Sequence, residues 1–194
     1  MLLRGERVVL REAQSSDRAE LERLRADPEI DHFMGVDSAP EGSIWNRIFV
    51  GAASGALADF VLQHPDGQII GLLSFWERPI PHHAAELSIW LAHDYRGLGY
   101  GTDALQLGLR HIFERFRLHK VYLRVLPYNS RAIGCYERCG FRKEGVLRQE
   151  MRVEGTWHDL IYMGLLHSEF ETLQGGRASS DVAARELASA EALP

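Results

Sequence analysis

Three glycines at every second position, Gly97, Gly99 and Gly101, follow an apolar run ending at Leu91 and lead into a long amphipathic stretch. A glycine turn between a strand and a helix can hold phosphate. Without a Cβ the backbone comes close to a ligand, and the helix start offers unpaired N–H groups at the positive end of its dipole. A tight turn with no ligand needs the same residues, so the spacing alone leaves both readings open. Other reactive groups are sparse. Cys135 and Cys139 stand four apart, which is neither a disulfide framework nor, without further cysteines, a zinc site. They read as small core or near-core residues in a reducing compartment, and nothing near Cys135 looks arranged to activate a thiolate. His82, His83 and Glu86 fall on a loop and a strand, without the i, i+4 spacing of a helical zinc motif, and no metal is expected.

The elements that must position the turn follow from periodicity. After it, Leu105, Leu109, Ile112, Phe113 and Phe116 line one face of a helix from about Tyr100 to Phe116. Before it come three strands in meander order, Ala58–Gln63, Ile69–Trp76 and Ala85–Leu91, the first two joined by the turn HPDGQ. Upstream, Glu6–Glu12 is a strand. Ser15 or Ser16 caps a helix through about Arg25 that Asp27-Pro28 ends, Asp31–Ala39 is a loop, and a second helix spans about Glu41 to Ala53. Downstream come a strand at Lys120–Leu126, a helix capped by Asn129 or Ser130 and stopped by Gly140, and a hairpin of Phe141–Arg148 with Trp157–Leu166. The fold class is α/β (α+β), with a mixed, mainly antiparallel sheet of about seven strands flanked by helices.

The chain has 194 residues, enough for one domain with a buried core; residues 1–173 are expected to form it, and 174–194, without aromatics, a disordered or frayed tail. A formal charge of −5 argues against nucleic acid as partner. The start reaches charge within four residues, and no apolar run approaches the ~20 residues that span a bilayer, so a cytoplasmic protein without a membrane partner is expected.

Known phosphate loops narrow the ligand. No lysine lies between Gly97 and Thr102, which excludes a Walker A loop; G-x-G-x-G in mid-chain, followed by KVYLRVL without an acidic residue, fits a dinucleotide fingerprint poorly. Arg96-Gly97-Leu98-Gly99-Tyr100-Gly101 instead resembles the [QR]-x-x-G-x-[GA] pyrophosphate loop of GNAT-family acetyltransferases. From Asn129, the segment RAIGCYERCGF resembles the family's N-x-x-A-x-x-x-Y-x-x-x-G-F pattern. VVLREAQSSD and the closing hairpin are similar to the RimJ/RimL-like branch, and the resemblance covers roughly residues 4 to 170.

The resemblance implies a coenzyme cleft between the fourth and fifth strands, where the strand ending at Leu91 parts from Lys120–Leu126. Acetyl-CoA would be the cosubstrate. Arg96, Gly97, Leu98, Gly99, Tyr100, Gly101 and Thr102 would wrap its pyrophosphate through backbone N–H groups. Pantetheine would pair with Ile89, Trp90 and Leu91, where a backbone N–H would steady the oxyanion. Asn129 would contact the coenzyme or only cap its helix. Tyr136 would protonate the departing thiolate or only pack on the helix's inner face. Glu86 would take the amine's proton, directly or through water, or only make a salt bridge; alternation places it with Ser88 and Trp90. Trp76-Glu77 and Trp157-His158-Asp159 are further candidates for the acceptor mouth.

The implied reaction is direct acetyl transfer in a ternary complex to a primary amine: a protein N-terminal α-amine, a polyamine or a small amine metabolite. A homodimer is compatible with it. Two other classes stay open at this level, a non-catalytic acyl-CoA-binding or sensor module on the same fold and a nucleotide-dependent oxidoreductase.

Overall fold

A computed structural model describes residues 1–34, 56–77 and 83–175. In chain order it contains strands β1 (Leu2–Arg4) and β2 (Val9–Glu12), helices α1 (Arg18–Arg25) and α2 (Pro28–Met34), and strands β3 (Ala56–Gln63), β4 (Ile69–Glu77) and β5 (Ala84–Leu91). There follow helix α3 (Tyr100–Phe116), strand β6 (Lys120–Val125), helix α4 (Ser130–Arg138), strands β7 (Arg142–Val153) and β8 (Thr156–Leu166), and helix α5 over 167–175.

The strands form one sheet in the order β1-β2-β3-β4-β5-β6-β8-β7, parallel only between β5 and β6. It has eight strands among the described residues rather than about seven, because Leu2–Arg4 adds an edge strand on Val9–Arg11. The expected cleft between the fourth and fifth strands therefore lies between β5 and β6. Alternation sorts the sheet's two faces. Phe60, Leu73, Phe75 and Leu87 meet Leu105, Leu109, Ile112 and Phe113 of α3 in the larger core. On the other face Val61, Leu72 and Trp90 meet Leu21 of α1 and Ile30 of α2. The Asp103 carboxylate accepts the backbone N–H groups of Arg7 (2.7 Å) and Val8 (3.0 Å), which ties the start of α3 to the first hairpin.

Three local expectations change. Pro28 opens α2 instead of only closing α1; at the first helical position its missing N–H has no intrahelical role to lose. Asp27 prepares that start by accepting the Glu29 N–H at 3.0 Å. The loop expected over Asp31–Ala39 is thus helical through Met34; its remainder, like the helix expected over about Glu41 to Ala53, lies outside the described residues. The first helix begins with a 3₁₀ turn, Ser15–Asp17, and its cap falls on neither serine, since the Asp17 carboxylate takes the Gln14 N–H at 2.8 Å. At the other end α5 continues the fold past β8, and Leu173 packs on Gly140. Residues 176–194, most of the expected tail, lie outside the described residues.

Leu105 is fully buried between α3 and the sheet. Leu105→Ala is expected to cost about 2–5 kcal/mol of stability, read as a lower denaturant midpoint at unchanged slope. A loss below about 1 kcal/mol would contradict this packing.

Candidate functional site

The site grows from one irregularity in strand pairing. β5 is in continuous register with β4 from Glu77↔Ala85 to Gly71↔Leu91, with no bulge. Its parallel pairing with β6 spans only Ala84↔Lys120, Ala85↔Val121 and Glu86↔Tyr122. Beyond Glu86 the two strands separate, and a cleft of about 400 Å³ opens between them. Ile89, Trp90 and Leu91 line it. The Trp90 side chain is buried on the α1–α2 face, while Ile89 and Leu91 pack toward the α3 core, so this stretch offers the cleft a backbone edge.

The glycine turn closes the cleft's far end. A 3₁₀ turn at His93–Tyr95 leads to extended Arg96, and Gly97 (φ 76°) and Gly99 (φ 90°) take the left-handed conformation that glycine tolerates best. The first backbone bond of α3 is Asp103 N–H to Gly99 O, at 3.1 Å. The N–H groups of Tyr100, Gly101 and Thr102 precede it and have no carbonyl one turn back within the helix. Gly97, Gly99, Gly101 and Thr102 face the cleft. The side chains of Leu98 and Tyr100 do not: Leu98 is exposed, and Tyr100 stacks edge-on against Tyr95 with ring centroids 5.4 Å apart.

Arg96 is spent on architecture. Its Nε donates to the Leu91 carbonyl at 2.8 Å, one Nη donates to Asp27 at 2.6 Å, and the other bonds Glu29. Arg131 of α4 donates to Glu29 at 2.9 Å and, with burial opposing, holds that carboxyl below its usual range. Asp27 is also held low, by the Glu29 N–H and Arg96 against the effect of burial. Asp27, Glu29 and His93 could approach a shared cation, but both carboxylates are already bonded to arginines. Of the three residues weighed earlier for a metal, His82 lies outside the described residues, and Glu86 turns to Arg124.

Tyr136, on α4, is 7 % exposed, lines the cleft and packs edge-on against Phe141. Burial, and then the neighbouring cysteines, push its phenol well above the ordinary range, so it keeps its proton. The Asn129 side chain accepts the Ala132 N–H at 3.2 Å as helix cap and also borders the cleft. Glu86 takes the Arg124 Nε at 2.8 Å at the opposite wall; this is the salt bridge weighed as its plainer role. Trp76 lines the cleft as well. Trp157 instead stands 59 % exposed near the hairpin tip, His158 packs on Tyr128, and Asp159 accepts the Gln149 N–H, so these three do not form the cleft wall.

Residues 7–142 match the acetyltransferase (GNAT) domain. The chain belongs to the GNAT family. Spermidine N(1)-acetyltransferase of Vibrio cholerae is 33 % identical over 111 residues, which are 57 % of this chain and 64 % of the relative, so the chain spans less than two thirds of that protein's length. The crystal structure of the Vibrio cholerae spermidine N-acetyltransferase in complex with CoA and spermine superimposes with a TM-score of 0.75 at 26 % identity, over 84 % of this chain and 97 % of that one. Mycobacterium smegmatis RimJ in complex with CoA-disulfide gives 0.70 at 26 %, over 84 % and 83 %. These likenesses agree with the RimJ/RimL-like branch.

Sequence reading missed three parts of this GNAT cleft. The Asp27–Glu29 anchor and Arg124 lie far from the motifs they serve; the signal available was the amphipathic PEIDHFM after Asp27. The third is Cys135. Its Sγ lies 3.3 Å from Thr102 Oγ1 at the turn end of the cleft, and Cys139 and Arg138 are neighbours. Hydrogen bonding from Cys139, then Thr102 and the Arg138 charge, outweigh burial and pull the thiol down to about 6. The expectation of an unactivated cysteine is corrected, because the activating groups come from its own helix and the start of α3. Iodoacetamide is expected to label Cys135 at a rate that rises through pH about 6 and then levels, with CoA slowing the labelling. A rate still climbing toward pH ~8.5 would mark an ordinary thiol.

Proposed function

We propose that the protein is an N-acetyltransferase that moves an acetyl group from acetyl-CoA to a primary amine by direct attack in a ternary complex. The observation that carries the reading is the separation of β5 from β6 beyond Glu86, with the glycine turn at one end and the buried Tyr136 phenol on the wall. The likeness to GNAT structures holding CoA supports it.

In this reading the coenzyme pyrophosphate sits over Gly97–Thr102 and is held by backbone N–H groups, while Arg96 keeps the turn in place. Asn129 borders the coenzyme while it caps α4. The pantetheine arm pairs along Ile89, Trp90 and Leu91 as an added strand, and a backbone N–H of that edge meets the oxyanion. The amine nitrogen forms a bond to the thioester carbonyl carbon, and the tetrahedral intermediate collapses by breaking the carbon–sulfur bond. Tyr136 gives its proton to the leaving thiolate. An ammonium must lose a proton before it attacks. Glu86 is the acidic side chain nearest that step: one carboxylate oxygen is taken by Arg124, and the other is offered to the ammonium. The acceptor class follows from the same cleft wall. Glu86 favours a cation, while Phe33, Met34 and Trp76 give it an apolar surround. The carboxylate suits a polyamine, a small amine metabolite or an N-terminal α-amine alike.

An acetylation screen over amines, polyamines and N-terminal peptides tests the reading. With the best acceptor, Tyr136→Phe is expected to lower kcat by about 10²- to 10⁴-fold while acetyl-CoA still binds. An unchanged kcat would remove Tyr136 as the acid, and coenzyme binding without turnover of any amine would favour a sensor module over an enzyme.

A further inference from the structure

On the sheet face turned toward α1 and α2, a row of polar side chains runs across three strands. Asp59 on β3 is directly opposite Ser74 on β4, and Ser74 is directly opposite Ser88 on β5. Side chains so paired have Cβ atoms ~4.5–5.5 Å apart. The row begins under the sheet and ends at the cleft, where Ser88 is part of the lining. Its members sit among Val61, Leu72 and Trp90, which belong to the apolar cluster of that face. Ser74 is 2 % exposed, and neither Asp59 Oδ1 nor Ser74 Oγ, both buried, makes a hydrogen bond of normal length. Among the described residues the Ser88 hydroxyl donates to the Met34 sulfur, at 3.9 Å. Buried polar atoms are nearly always bonded in folded proteins, so two unbonded ones in register with a hydroxyl at the cleft require a reason.

We propose that Asp59 is the final acceptor of the proton shed by the amine, reached from the cleft through the Ser88 and Ser74 hydroxyls. This rests on the N-acetyltransferase reading and extends its acceptor side. Once the two hydroxyls turn along the row into hydrogen bonds with each other and with Asp59, Ser88 Oγ takes a proton from the ammonium as it passes its own to Ser74 Oγ, and Ser74 passes its own to the Asp59 carboxylate. Both serines end neutral, the amine is free to attack, and the carboxyl later releases the proton to solvent. Glu86 draws the ammonium in, but one of its oxygens is already bonded to the Arg124 guanidinium. Among the described residues no cation pairs with Asp59. Burial pushes it up to about 6, opposed only by the Ser74 hydroxyl. The charged groups around that face among the described residues include the closed pairs Arg11–Asp17, Arg25–Asp31 and Glu86–Arg124 and the Arg96–Asp27–Glu29 cluster. At neutral pH Asp59 is therefore mostly ionised yet basic enough to take a proton in passing.

The test uses the full chain, acetyl-CoA and the best amine from the screen. Wild-type kcat is expected to fall as pH drops through about 6, because protonated Asp59 accepts nothing. Asp59→Asn is expected to lose that acidic limb and at least about 10-fold of kcat near neutral pH, with the KM for acetyl-CoA unchanged. Its raised carboxyl costs the fold stability as pH rises from the ordinary ~4 to about 6, in full above that, so at neutral pH the neutral amide is expected to leave the melting temperature equal or higher. Ser74→Ala is expected to slow kcat similarly, and the double variant no further, since both cut one relay. Wild-type kcat and acidic limb in Asp59→Asn, or losses that multiply in the double variant, would overturn the relay alone. A wild-type chain that binds acetyl-CoA but acetylates no amine would overturn the enzyme reading, and the relay with it.

Discussion

Two parallel strands that pair for three residues and then diverge leave backbone groups facing a gap. A buried donor or acceptor without a partner costs about 1–3 kcal/mol, so such a gap persists only if its walls are held from outside and polar matter fills it. Both walls are held here. β5 is bound along its length to β4, and β6 from Lys120 to Val125 is bound to β8. The open end is fixed by Arg96, which holds the Leu91 carbonyl while two carboxylates hold its guanidinium. The α1–α2 junction, some seventy positions upstream of the glycine turn, thereby sets where the turn sits.

What was legible in the sequence was what the backbone does locally. The run from Ala85 to Leu91, the three glycines and the face of α3 each declare themselves within a few residues, and the element order follows. Asn129 reads correctly as a cap because capping is a contact of three residues' span. What was not legible depends on distance in the chain. Glu86 shows as a carboxylate in a strand, but its partner Arg124 appears only when β6 is laid beside β5. Cys135 looks inert until Thr102 of another helix comes within 3.3 Å of it. Pro28 reads as an ending because the residue before a proline is biased away from the helical region; the Asp27 side chain that makes it a start is a cap of the same local kind.

The two sides of the cleft differ in the material they are made from. The side proposed for the coenzyme is mostly backbone: a strand edge, a turn and the first N–H groups of a helix. Such a surface tolerates many side chains provided a few glycines remain, which is why a short pattern marks it. The side proposed for the acceptor is made of side chains from α2, β4, β5 and β6, and each can change without moving the fold. Family membership thus carries the cofactor's geometry much further than the acceptor's identity.

The polar row of Asp59, Ser74 and Ser88 makes the same point through stability. A carboxylate among valine, leucine and tryptophan loses hydration, and the sheet returns no hydrogen bond to its buried oxygen. Valine or threonine at either position would suit β-strand packing and remove the penalty. The contrast with Asp17 is instructive: that buried carboxylate accepts two Arg11 donors at 2.6 and 2.7 Å, and its pKa falls instead of rising. One is compensated on the spot, and the other stands in line with a hydroxyl that reaches the cleft. A fold of ordinary, marginal stability keeps an uncompensated acid where the acid does something besides hold the fold together.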